Sequence, residues 1–237
     1  MNSEEMKPLT GKWALITGSS RGIGQQIAAG LAGQGCNIIL HARKSENCNR
    51  TLDMLEYFDV ETLVVGAELG SPGQERQMID SILQQVGYVD ILYNNAAVMA
   101  SWHDHIAEIP MQEWDDIYRI NFFSLVRMCS AFYPLMRSRN WGRIVNLVTG
   151  MENTPQLTPY SASKASVEKY TRELATELCD TNVLVNALDP GWLKTDLGGA
   201  SADYAVETVL PGALVPALLQ NDGARGTTFL AQDYRTT

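Results

Sequence analysis

Trp13-Ala14-Leu15-Ile16-Thr17-Gly18-Ser19-Ser20-Arg21-Gly22-Ile23-Gly24 is the stretch that decides the fold. Its first four residues form a short apolar run, which reads as a buried strand. The run breaks at Thr17-Gly18, a turn signal. A helical pattern with an alanine, glycine and leucine face follows from about Gln25 to Ala32. Strand, glycine-rich turn and helix in that order are the setting a dinucleotide phosphate needs. Glycines let the backbone come close to the pyrophosphate, and the helix start offers unpaired N–H groups at the positive end of its dipole. The residues of this turn that face the cofactor in this reading are Gly18, Ser20, Arg21, Gly22, Ile23 and Gly24.

Outward from there the pattern repeats. Strands are expected at Asn37–Leu40, Thr62–Val65, Asp90–Tyr93, Arg143–Thr149, Leu184–Leu188 and Thr227–Leu230. Helices are expected between them: Ser45–Tyr57, Pro72–Val86, a long one at Met111–Arg139, one carrying Tyr160, and a helical region over Ala202–Gln220. Alternating strands and helices predict an α/β fold, a doubly wound parallel sheet of about seven strands with helices on both faces. No composition break divides the chain, so one domain is expected over 1–237, with 1–10 as a flexible tail.

Charge and composition narrow the partners. The 237 residues carry a net charge of −9, which argues against a nucleic-acid groove or an anionic membrane surface. The cysteines, Cys36, Cys48, Cys129 and Cys179, are scattered, as in reduced cytoplasmic thiols. No stretch is long and apolar enough to span a bilayer. Against this acidic background, Arg43 and Lys44 follow the second strand, where a dinucleotide fold meets the adenosine ribose. Together with Arg21 they form a candidate cradle for a 2′-phosphate, hence NADP(H). His103 and His105 form a His-x-His pair on a loop without a clear third ligand. They are read as pocket or surface residues, with no metal.

Tyr160-Ser161-Ala162-Ser163-Lys164 carries the chemistry. Residues four apart on a helix face the same way. A phenol thus sits beside an ammonium group, and a neighbouring cation lowers a phenol's pKa from about 10. The pair is a candidate general acid/base for a carbonyl or an alcohol.

The ordered set resembles the short-chain dehydrogenases/reductases over nearly the whole chain. It comprises Thr17-Gly18-x-x-x-Gly22-x-Gly24, Asn94-Asn95-Ala96-Ala97, Asn121 in the long helix, the fifth strand, Tyr160-x-x-x-Lys164, and Pro190-Gly191 followed by Thr195. The resemblance implies a Rossmann-type sheet, a nicotinamide cofactor and hydride transfer between alcohol and carbonyl. It makes Tyr160 the acid/base and Lys164 its partner and ribose ligand. Asn121 becomes a local break in the helix that holds a relay water. Glu68, Leu69, Asn95, Ala96, Ala97, Pro190, Gly191, Leu193 and Thr195 become further cofactor contacts. The family's usual serine, thirteen residues before the tyrosine, falls here on Leu147. Alignment along the fifth strand puts the hydroxyl at Thr149 instead, with a shorter loop to Tyr160. Ala97 and Glu68 depart from the glycine and aspartate usual at their places. The resulting expectation is a cytoplasmic, homodimeric or homotetrameric NADP(H)-dependent reductase of a small ketone or a 3-oxoacyl thioester. The alternative is a cofactor-binding sensor or structural subunit that has lost catalysis.

Overall fold

The computed structural model describes residues 7–235. Seven parallel strands form one sheet: β1 (Trp13–Ile16), β2 (Asn37–Ala42), β3 (Thr62–Gly66), β4 (Ile91–Asn94), β5 (Gly142–Leu147), β6 (Val183–Asp189) and β7 (Thr228–Leu230). Their order across the sheet is β3-β2-β1-β4-β5-β6-β7. The chain winds outward one way through β2 and β3. It then returns to pair β4 with the other side of β1, with Ile16 opposite both Leu40 and Tyr93. That reversal leaves a crevice beyond the carboxyl ends of β1 and β4, the place where open α/β sheets bind ligands.

Both faces of the sheet are covered, so its inner strands are apolar almost without a break. Alternate residues serve opposite cores. Ile38 and Leu40 join Ile27 and Leu31 of α1 (Gly22–Gly33) on one face. Leu15, Ile39, Leu92 and Ile144 pack on the other face against Met78 and Ile82 of α3 (Pro72–Val86) and Phe132 of a later helix. Of the segment expected to be a tail, residues 1–6 lie outside the described part. Leu9 is buried, and its N–H donates to the Gln34 carbonyl at 3.1 Å, so the chain is already packed there.

Four expectations change. The helix expected over Ser45–Tyr57 is a 3₁₀ turn, Ser45–Cys48, followed by a short α2 (Asn49–Leu55). The long helix is α4 (Met111–Tyr118), a π-helical turn (Arg119–Ser124) and α5 (Leu125–Ser138). The region Ala202–Gln220 holds two 3₁₀ turns and only a one-turn α7 (Val215–Leu218). Pro211 and Pro216 lack the N–H that a continuous helix would use. Gly212 also lies so close to Ala231 that an added Cβ would stand 2.1 Å from its carbonyl oxygen. The fifth strand ends at Leu147, two residues earlier than expected, although the Val148 N–H still donates to Leu188 at 2.9 Å.

Candidate active site

The glycine turn is clamped to the end of β4. The Thr17 hydroxyl accepts the N–H groups of Asn95 and Ala96 at 3.0 and 3.1 Å. The Asn95 amide donates back to the carbonyls of Thr17 and Gly18 at 2.8 and 3.1 Å. Gly18 has φ +66°, and a Cβ there would meet Ala96 at 3.0 Å; at Gly24 it would stand 2.5 Å from the Gly18 carbonyl oxygen. No side chain caps the N-terminus of α1, which opens its first N–H groups to the crevice. That combination of close backbone approach and uncapped donors fits a pyrophosphate.

Sequence reasoning passed over a residue beneath this turn. His41 is buried; its Nδ1 accepts the Gly18 N–H at 3.1 Å, and its Nε2 donates to the Ala67 carbonyl at 3.1 Å. Burial lowers its pKa to about 4, so the imidazole is neutral and its proton sits on Nε2. Its polarity inside an apolar strand was the available signal.

At the ribose end, Arg43 and Lys44 are exposed at the tip of β2 and make no ion pair among the described residues. Arg21 does not stand free beside them. It pairs with Asp196 at 2.7 Å, on the loop after β6. Glu68 is exposed just past β3 and Leu69 is buried beside it. The loop after β6 reaches the glycine turn: a Cβ at Gly22 would lie 3.5 Å from the methyl of Thr195. Leu193 is buried, Gly191 takes φ +81°, and the Pro190 carbonyl accepts the Gln232 amide at 2.8 Å.

Tyr160 and Lys164 lie in the first turns of α6 (Thr158–Glu177), both almost wholly buried. The Tyr160 ring packs in a small apolar cluster with Ala100 and Ile117, flanked by Ala97, Val98, Met99, Met151 and Leu157. Its hydroxyl bonds to no other described residue, yet it is not sealed off, since no enclosed side-chain polar atom lacks a partner. It therefore opens on the crevice. Lys164 Nζ donates to the Leu147 carbonyl at 2.8 Å and lies 5.9 Å from the Tyr160 ring centre. The expected lowering of the tyrosine is not what the protein alone produces. Burial, with the Asp189 charge adding to it, pushes the phenol up to about 12. Burial also brings the lysine down to about 8.

Thr149 stands half-buried at the end of β5, its hydroxyl accepting the Met151 N–H at 3.2 Å. Its own proton is free to donate outward. Leu147, at the usual serine spacing, is a buried strand residue. Asn121 sits in the π turn. Its side chain accepts the Val98 N–H at 2.8 Å and donates to the Val98 carbonyl at 3.0 Å and to Ser163 at 3.2 Å. The π turn thus pins the loop after β4 to α6. A second residue missed in the sequence, Asp189, ties two loops together. Its carboxylate accepts the N–H of Gly150 at 2.7 Å and of Gly191 at 2.9 Å. The second of these is an Asx turn, a pattern of Asp two residues before the N–H it binds. His103 pairs with Glu113 at 2.8 Å, and no cluster of metal-ligating side chains occurs among the described residues.

With this geometry in place, the comparisons identify the class. Residues 12–204 match the short chain dehydrogenase family model. The chain belongs to the short-chain dehydrogenases/reductases, a family of oxidoreductases that use a nicotinamide cofactor. It is 31% identical over 226 residues to the 3-oxoacyl-acyl-carrier-protein reductase of Staphylococcus aureus, covering 94% of this chain and 91% of that one. It is 35% identical over 195 residues to dehydrogenase/reductase SDR family member 4 of Sus scrofa, covering 81% and 70% of the two chains. Among solved structures, a metagenomic short-chain oxidoreductase in complex with NADP superposes with a TM-score of 0.82 at 25% identity, covering 93% and 96%.

Proposed function

We propose that this protein is an NADP(H)-dependent carbonyl reductase with Tyr160 as its general acid. The observation that carries the reading is a tyrosine hydroxyl that opens on the crevice without a partner among the described residues, its proton in place near neutral pH. When bound, the nicotinamide supplies a hydride to the carbonyl carbon. Tyr160 gives its proton to the carbonyl oxygen, and the Thr149 hydroxyl donates a hydrogen bond to the same oxygen. Lys164 holds the nicotinamide ribose, and Asn121 fixes the loop that floors the site. The α1 N-terminus and the glycine turn receive the pyrophosphate. Arg43 and Lys44 receive the 2′-phosphate, the ground for preferring NADP(H) over NAD(H). A cytoplasmic setting is supported by four free cysteines, three of them buried. No described helix is long and apolar enough to cross a membrane.

Loss of NADPH absorbance with a panel of ketones tests the reading. Tyr160→Phe keeps the ring and removes the proton, so turnover should drop about 10²–10⁴-fold while NADPH still binds. Thr149→Val keeps the shape and removes one hydrogen bond to the developing oxyanion, a loss of about 10²–10³-fold. Full activity in Thr149→Val would return the hydroxyl role to another group. Arg43→Asp should weaken NADPH binding by about 1.5–3 kcal/mol, the worth of a charged hydrogen bond, and improve NADH. Equal wild-type affinity for the two cofactors would count against the assignment of the β2 tip.

A further inference from the structure

The walls and the rim of the crevice carry different chemistry. Around the Tyr160 ring the walls are apolar, and Met99, Met151 and Leu157 are only partly covered by protein. Methionine walls are adaptable and favour apolar bodies of irregular shape. The apolar character continues outward, where Trp102 is 64% and Trp192 50% exposed on the loops after β4 and β6. Single exposed apolar residues need no explanation, but these stand on the loops that frame one crevice.

Charge on the same loops is one-sided. Asp104, Glu108, Glu152 and Asp203 lie on the loops after β4, β5 and β6 outside any ion pair among the described residues, against Lys194 as the sole lysine or arginine there. Two nearby arginines are already engaged: Arg21 with Asp196 at 2.7 Å, and Arg235 over the Tyr204 ring at 4.6 Å. Deeper in, the Asp189 carboxylate is fixed by the backbone N–H groups of Gly150 and Gly191, and its charge is felt at the Tyr160 phenol. An anionic substrate would meet like charge at the rim and at the floor, with no arginine fork to receive it.

We infer that the substrate is a free apolar ketone without an anionic group, its carbonyl at Tyr160 and Thr149 and its body against Met99, Met151 and Leu157. This rests on the carbonyl-reductase reading and sharpens it. It parts this protein from its carrier-protein-reductase relative, because an acyl group on a phosphopantetheine carrier or on coenzyme A brings phosphate to the rim.

Three probes with one acyl skeleton test it: ethyl 3-oxohexanoate, 3-oxohexanoate and 3-oxohexanoyl-coenzyme A, each with NADPH. The ester should exceed both anions in kcat/KM by about tenfold or more at low salt, as expected of like-charge exclusion. The gap should narrow at high salt. It should also narrow in Glu152→Lys, whose exposed side chain has no partner to lose among the described residues. Reduction of the coenzyme A thioester as fast as the ester overturns the inference, as does a gap unmoved by both salt and Glu152→Lys. No turnover of any probe, nor of ethyl 3-hydroxyhexanoate with NADP⁺, instead removes the reductase reading beneath it.

Discussion

At the scale of single residues, Tyr160 and Lys164 divide the work differently from what their spacing implies. Four residues apart on a helix, they share a face, but the lysine turns to the Leu147 carbonyl. Each is then governed mainly by burial, the phenol towards its neutral form and the ammonium towards its own. The phenol, at about 12, stays protonated through the neutral range, so it holds the proton that a carbonyl oxygen would receive. For Lys164 the sign of the linkage follows from its lowered pKa. The folded state disfavours the charged lysine, so a penalty is fully present below about 8 and gone above the ordinary 10.5. Stability of the wild type relative to Lys164→Met should therefore rise between those pH values, by about 3 kcal/mol at 1.36 kcal/mol per pKa step. Urea titrations of both proteins across that window measure it; a constant difference would place the lysine in a wetter setting.

At the scale of elements, the π turn Arg119–Ser124 joins cofactor side to substrate side. Asn121 reaches from it to Val98 and Ser163. On its other flank, Glu75 of α3 is fully buried and accepts from Ser124 at 2.5 Å, from the Gly70 N–H at 2.8 Å and from Arg127. Burial opposes that carboxylate's charge, but the bonds from Arg127, Ser124 and Gly70 outweigh it and hold its pKa below the usual range. Its contribution is thus present above the ordinary carboxylate pKa and is lost as pH falls through the depressed one. Removing one partner of a buried pair costs about 3–5 kcal/mol. Glu75→Ala should lose stability of that order in urea unfolding. It should also weaken NADPH binding if Glu68 and Leu69, which Gly70 follows, contact the cofactor as proposed. A change of under about 1 kcal/mol, the worth of an exposed ion pair, would show the cluster to be peripheral.

At the scale of the whole molecule, one face remains apolar after the sheet is covered. Phe123 is 48% exposed on the π turn, and Tyr118, Phe122 and Tyr170 stack around it or behind it with ring centres 5.6–6.4 Å apart. A groove between α5 and α6 adjoins it, lined by Val126, Tyr133, Tyr170 and Leu174 and, at its polar end, by Ser130, Glu173, Thr176 and Glu177. A second copy of the chain would cover this face. Light scattering at micromolar concentration should give a dimer or a tetramer of the 26.1 kDa chain. Phe123→Asp should shift it towards the monomer. A wild-type monomer would contradict the assignment.

The local grammar of this chain determined most of the fold. Short unbroken apolar runs, helical apolar faces, glycines where the backbone must come close, and Pro72 at a helix start are local properties, so Trp13–Ile16, α1 and α3 could be read directly. The ordered motifs likewise pointed to the family and to the phosphate-binding turn, because the glycines at 18 and 24 answer to contacts within that turn and its clamp. What only the tertiary structure decided are quantities set by distant neighbours. The pKa of Tyr160 depends on burial and on Asp189, 29 residues further along the chain. Arg21 looks like a phosphate ligand until the loop after β6 brings Asp196 against it. Ala202–Gln220 reads as helical until Pro211, Pro216 and the crowding of Gly212 on Ala231 break it up. His41 falls just past the expected strand Asn37–Leu40; it lies within β2, and becomes the support of the glycine turn only once β1 and β2 lie side by side. For Tyr160, Arg21 and His41 the deciding contact is burial, a charge pair or a hydrogen bond with a residue far along the chain, and no short window contains both partners.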